Sequence, residues 1–139
     1  MSGYKVIAID GPAGAGKSTI AKRLADTIGY TYMDSGAMYR AITLKALREN
    51  IPMKKKDMLI SMAEQTDIDF HENSIYLDGR AVNTEIREED VNRNVSYIAA
   101  IPEIRKLLVD IQRKISMNKN VVMDGRDVGT VIFPNADLK

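Results

Sequence analysis

Apolar and polar positions follow two rhythms along this chain. Residues 4–10 carry the run Val6-Ile7-Ala8-Ile9, which predicts a buried parallel strand. Ile20, Leu24 and Ile28 then recur every four residues beside Ala21 and Ala25, predicting a helix over 18–28 with one packed face and a stop at Gly29. A second strand is expected over 30–34 and a second helix over 35–50, ending before Pro52. Residues 54–65 read as a further helix with a polar face. From Asp67 the period drops to two. "DIDFHENSIYLDGRAV" alternates around the turns His-Glu-Asn-Ser and Asp-Gly, which predicts a small antiparallel meander. The meander is too short to hold itself together and is expected to pack on the main domain as an insert. Val91, Val95 and Ile98 mark a helix within 88–99. Beyond Pro102, the positions Ile104, Leu107, Leu108, Ile111 and Ile115 define a long amphipathic one. "NVVMD" predicts another buried strand, and "TVIFPNADLK" the approach to the next.

Composition narrows the chemistry. The 139 residues suffice for one domain with a real core. Lys+Arg 20 against Asp+Glu 19 gives a net charge of +1, which argues against a general nucleic-acid binder. With no Cys and a single His, disulfides, zinc-thiolate sites, a cysteine nucleophile and multi-histidine metal cages are excluded. "YKVIAID" follows the N-terminus without a cationic leader or long apolar stretch, so a cytoplasmic location is expected.

The strongest motif is "GPAGAGKS", Gly11 to Ser18, which fits G-x-x-x-x-G-K-[ST] between an expected strand and helix. Gly11, Gly14 and Gly16 let the backbone curl so that N–H groups point at phosphate oxygens. Pro12, Ala13, Ala15 and Thr19 complete the expected ATP-binding stretch. Lys17 is placed to reach the outer phosphates, and Ser18 to ligate Mg²⁺. The motif indicates a nucleoside triphosphate without saying what is done with it. The fold expected is α/β: a P-loop three-layer parallel sheet with helices on both faces and the small antiparallel insert.

Two other stretches bear charge near predicted element ends. In "DSGAMYR", residues 34–40, a helix start offers N–H groups and the Ser35 hydroxyl to an anion, and Arg40 lies about a turn inward. Spacing alone leaves Ser35 equally a helix cap and Arg40 a surface arginine. In "MDGRD", residues 123–127, two carboxylates flank a guanidinium at a glycine turn. That stretch is open to reading as a solvated turn, a metal site or part of a substrate pocket.

The combination of "IDGPAGAGKST", "MDSGAMYR", "EIR", "IAAIPEIRKLL" and "VVMDGRDVGTVIFP", spread over residues 9–134, resembles the bacterial cytidylate kinases. The resemblance implies phosphorylation of CMP and dCMP, and of UMP poorly, by ATP with Mg²⁺ in a monomeric enzyme. It implies that Arg40 and Arg126 hold the CMP phosphate, with Lys17 as a further catalytic group, and that Ser35 joins the CMP site. Ser96, Arg105 and Asp127 would read cytosine, whose N4 donor and O2/N3 acceptors suit a carboxylate, an arginine and a hydroxyl. Asp124 would hold a Mg²⁺-bound water. Without the resemblance, Ser96 reads as a helix-surface serine and Arg105 as a stem-packing arginine. The implied division is a core with the P-loop over 1–34, mononucleotide-binding helices over 35–117 with the insert near 67–82, and a return to the core over 118–139. With three core strands and a further one beginning, the chain is expected to be the N-terminal portion of a larger protein, little active without the family's arginine-rich lid. Two other classes compete: a P-loop kinase for AMP, UMP or shikimate, and a nucleotide-binding module without phosphotransfer. His71, in the insert, is expected to have no catalytic role, and Lys54-Lys55-Lys56 to be a solvated face.

Overall fold

In a computed structural model, the structure describes residues 4–10 and 17–125. The elements in chain order are β1 (Val6–Asp10), α1 (Lys17–Ile28), β2 (Thr31–Asp34), α2 (Ser35–Arg48), α3 (Lys56–Glu64), β3 (Ile68–His71), β4 (Ser74–Leu77), β5 (Arg80–Ala81), a 3₁₀ turn (Glu85–Arg87), α4 (Glu89–Ala99), α5 (Pro102–Ser116) and β6 (Val121–Gly125). Contacts divide the chain into two units. One holds 1–35, 70–73 and 111–139, and the other 36–69 and 74–110.

The first unit is built on a parallel sheet in the order β1-β6-β2. Val121 to Gly125 align with Val6 to Asp10 on one side, and Val121 to Asp124 with Thr31 to Asp34 on the other. All-apolar runs suit strands buried on both faces, and Val121, Val122 and Met123 have no exposed surface. One sheet face packs Ile7, Ile9, Tyr32 and Val122 against Ala21, Ala25 and Leu24 of α1. The expected packed face of α1 is therefore shifted. Ala21 and Ala25 are fully buried, whereas Ile20 is 61% and Ile28 40% exposed. At about 100° per residue, Ile20 falls to the edge of a stripe centred on the alanines, whose small side chains bring the helix close to the sheet.

Helix ends explain the chain's turns. Gly29 (φ 74°) and Asn50 (φ 56°) take the left-handed conformation after α1 and α2. The following N–H groups reach back five residues, Tyr30 to the Ala25 carbonyl and Ile51 to that of Ala46, both at 2.9 Å. This pattern satisfies carbonyls that a helix end leaves unpaired. Pro102 opens α5 as its first residue, where its missing N–H has no intrahelical partner to lose.

The expected meander is the sheet β3-β4-β5, antiparallel between β4 and β5. Both of its connections are two-residue turns at positive φ: Glu72 (49°) with Asn73 (64°), and Asp78 (49°) with Gly79 (87°). Such mirror-image turns match strand twist and need residues that tolerate the left-handed region. Ile68, Phe70, Ile75 and Leu77 alternate into the core, as the period of two requires. Among the methionines, Met33, Met38, Met62 and Met123 are buried, while Met58 and Met117 lie exposed. Lys54, Lys55 and Lys56 are exposed. Among the described residues no helix is long and apolar enough to cross a membrane.

Candidate active site

Strand β1 ends at Asp10 and α1 begins at Lys17, so the glycine-rich motif connects a strand to a helix, as its chemistry requires. Gly11, Pro12, Ala13, Gly14, Ala15 and Gly16 lie outside the described residues, as do Arg126 and Asp127. Lys17 and Ser18 open α1, and their side-chain roles fall outside the description too. Thr19 is exposed in the first turn of α1.

Beside β1, strand β6 delivers a carboxylate. Asp124 is only 2% exposed and stands in register with Ile9 on one side and Asp34 on the other. Burying a carboxylate is costly unless it is hydrogen-bonded, and the Tyr32 hydroxyl donates to its Oδ2 at 2.8 Å. Tyr32 and Asp34 share a face of β2, two residues apart, so the phenol runs along the sheet towards Asp124. Above the ring lies the Lys22 ammonium, 5.6 Å from its centroid, within cation–π range. Sequence reasoning missed Tyr32 and Lys22. The alternation of β2 could have placed Tyr32 with Asp34, but only the β2–β6 register puts it with Asp124.

The described residues contain no group of three or more side chains able to cage a metal. Mg²⁺ does not need one. It keeps several waters and takes one or two carboxylates together with the phosphates of its nucleotide. The hard oxygens of Asp124, with Asp34 in register beside it, fit that donor set.

The remaining candidates sit on helices. Ser35 is 8% exposed and is the first residue of α2, where N–H groups lack intrahelical partners. Arg40, half-buried further along α2, donates from Nη1 to the Asn92 Oδ1 on α4 and, at 3.5 Å, to the Ile86 carbonyl. Asn92 is a third residue that sequence reasoning missed. Ser96 is exposed on α4 and Arg105 exposed on α5, outside the stripe of Ile104 and Leu108. Arg105 acts electrostatically on Tyr39, the neighbour of Arg40. Burial pushes the Tyr39 phenol up, and the Arg105 charge only partly offsets this, so the hydroxyl remains a neutral donor around pH 7. The structure thus groups Tyr39, Arg40, Asn92 and Arg105 within the second unit. His71 is exposed at the end of β3, 3.9 Å from the Glu72 carboxylate.

The family model for cytidylate kinase matches residues 7–139. Among curated relatives, the cytidylate kinase of Alkaliphilus oremlandii is 54% identical over 96% of this chain and 61% of its own length. That of Caldanaerobacter subterraneus subsp. tengcongensis is 55% identical over 96% of this chain and 59% of its own. For Clostridioides difficile the figures are 53%, 99% and 63%. The chain spans about three fifths of the length of these relatives. A match of this extent, over a strand and helix that flank the glycine-rich motif and a buried carboxylate on β6, decides the family: the chain belongs to the cytidylate kinases.

Proposed function

We propose that this protein transfers the γ-phosphoryl group of ATP to CMP or dCMP, yielding ADP and CDP or dCDP. The observation that carries the reading is the pairing of β1, which precedes the glycine-rich motif in the chain, with β6, which carries the buried Asp124 carboxylate. A triphosphate gripped by that motif brings its outer phosphates to the strand ends where such a carboxylate serves.

A CMP phosphate oxygen attacks the γ-phosphorus in line. The bond from that phosphorus to the β,γ-bridging oxygen breaks, and ADP leaves with the electron pair. The acceptor's second pKa is near 6, so at pH 7 it is mostly dianionic and needs no general base. Catalysis is then positioning and charge neutralisation. Residues 11–19 cradle the triphosphate, with Lys17 on its outer phosphates. Arg40 and Arg126 hold the acceptor's phosphate and offset repulsion between the two anions, with Ser35 contributing at the start of α2. Ser96, Arg105 and Asp127 read the cytosine edge. Ser18, and Asp124 through water, would hold Mg²⁺, which supplies charge neutralisation on the phosphates. The same reading divides the chain into a core over 1–34, an acceptor-binding part over 35–117 with its insert, and a return to the core over 118–139. It makes the protein a cytoplasmic monomer acting on small molecules.

A coupled ADP-release assay on the full-length protein tests this, with CMP, dCMP, UMP, AMP and shikimate as acceptors. CMP and dCMP are expected to win clearly, with turnover dependent on ATP and acceptor together. Preference for AMP, UMP or shikimate would overturn the substrate assignment. ATP binding with no acceptor-dependent turnover would overturn the enzyme reading itself.

A further inference from the structure

The Glu85-Ile86-Arg87 segment is one of the pieces that carry the resemblance, yet no role attaches to it. In the structure it forms the 3₁₀ turn preceding α4, and two of its carbonyls are engaged by side chains. The Ile86 carbonyl accepts from Arg40 Nη1 at 3.5 Å. The Arg87 carbonyl accepts from Asn92 Nδ2 at 3.4 Å, and the other end of that amide, Oδ1, accepts from Arg40 Nη1. Asn92 lies in the first turn of α4, its own N–H bonded to the Glu88 carbonyl at 3.1 Å. Arg40 is therefore tied at one nitrogen to both the turn and the helix after it.

Arginine has five N–H donors in a planar fork and a side chain with much rotamer freedom to lose. Nη1 lies on the Cδ side of the guanidinium. Fixing it leaves the opposite edge, Nε with Nη2, as a parallel pair of donors, which is the edge that meets two oxygens of a phosphate. The anchor's chemistry is equally specific. An amide offers an acceptor to the guanidinium and a donor to the Arg87 carbonyl. A carboxylate there would repel the carbonyls and cancel the charge that a dianionic phosphate needs.

We propose that Asn92 is a positioning residue for Arg40, a neutral anchor that presents the Nε/Nη2 edge to the phosphate of the acceptor nucleotide. The proposal rests on the reading of Arg40 as a holder of that phosphate. It gives the 3₁₀ turn a function, as the fixed platform on which Asn92 and Arg40 are both seated. It also predicts an effect confined to the phosphate part of the ligand.

Calorimetric titration of the full-length protein with CMP and with cytidine, without ATP, isolates that part. Asn92→Ala is expected to weaken CMP about ten- to a hundredfold, the size of one lost charged hydrogen bond, and to change cytidine less than twofold. Asn92→Asp keeps an acceptor for Arg40 but neutralises it, and is expected to weaken CMP more than Asn92→Ala does. In an Arg40→Ala background, Asn92→Ala is expected to add nothing. In turnover, the KM for CMP rises while that for ATP stays within twofold. Equal losses for CMP and cytidine, or CMP binding that is unchanged or tighter, would overturn the anchor. The same titrations with AMP against adenosine and UMP against uridine separate this from the functional reading. A wild type that prefers AMP defeats the cytidine assignment, while a phosphate-specific loss at Asn92 still supports the anchor. A wild type that binds no nucleoside monophosphate overturns both.

Discussion

Asp124 pairs high burial with a partner whose removal is chemically clean. Tyr32→Phe deletes only the hydroxyl that donates to Oδ2 at 2.8 Å, leaving the ring in its apolar cluster and under Lys22. Hydrogen bonds to charged groups contribute about 1.5–3 kcal/mol, more than neutral ones, because the carboxylate has been taken out of water. We expect Tyr32→Phe to lower unfolding free energy by about 2 kcal/mol in urea titrations. A loss below about 0.5 kcal/mol would mean that Asp124 is satisfied without the phenol. Sequence could name Asp124 because a charge closes an apolar run. It could not name Tyr32, since the two residues meet only through a register between strands 92 positions apart. The contact between Arg40 and Asn92, separated by 52 positions, was hidden for the same reason.

Elements were more legible than pairings. Helices α2, α4 and α5 and the meander follow their apolar periods, because a face that must be buried leaves its spacing in the sequence. Where the reading of α1 failed, at Ile20, the pattern counted large side chains, while packing selected the small ones beside them. Within the insert, Asp78 holds the second turn together. Its Oδ1 accepts from the Asp67 N–H at 2.9 Å, and its Oδ2 meets Lys45 at 2.7 Å. Burial pushes this carboxyl up, but the Lys45 hydrogen bond, the Asp67 N–H and the Lys45 charge together hold it below the usual carboxylate range. A carboxylate whose folded value is depressed stabilises the fold fully above its unfolded value, near 4, and loses that contribution as pH falls through the folded one. With 43% of the Asp78 side chain exposed, solvent screens much of the effect. Asp78→Asn tolerates the left-handed turn and keeps an acceptor for Asp67, so it should cost roughly 0.5 kcal/mol at pH 7. The difference from wild type should shrink as pH falls below the ordinary carboxylate range and vanish once Asp78 is protonated in the folded state, as measured by urea midpoints. An unchanged difference at low pH would assign the loss to turn geometry.

Across the whole molecule, ligand linkage gives a test that needs no turnover. A ligand that binds only the folded state at about 100 times its Kd adds roughly 2.7 kcal/mol. For a chain of this size that corresponds to a rise of about 6–10 °C in the thermal midpoint. CMP is expected to give such a shift in scanning calorimetry of the full-length protein, and cytidine at the same concentration a smaller one. No shift with CMP at millimolar concentration would count against an acceptor site in the folded protein. The family was legible at this scale because its motifs recur in order along most of the chain. The candidate site was legible only in part, because contacts such as Tyr32 with Asp124 and Arg40 with Asn92 are not encoded in spacing.

The turn at Glu72 and Asn73 has a consequence for solubility. In the described sheet β2 has β6 on one side only, so its other side carries outward N–H and C=O groups. Exposed edges of this kind invite pairing with a strand from another molecule. Asn73 intercepts that pairing. Its Oδ1 accepts from the Tyr32 N–H at 3.1 Å, while its Nδ2 fastens the turn to Asp26 of α1 at 2.6 Å. An incoming strand would have to displace both bonds to reach Tyr32. The insert's turn therefore works as a guard on the sheet, quenching at its outer margin the donor on which a stack of foreign strands would begin.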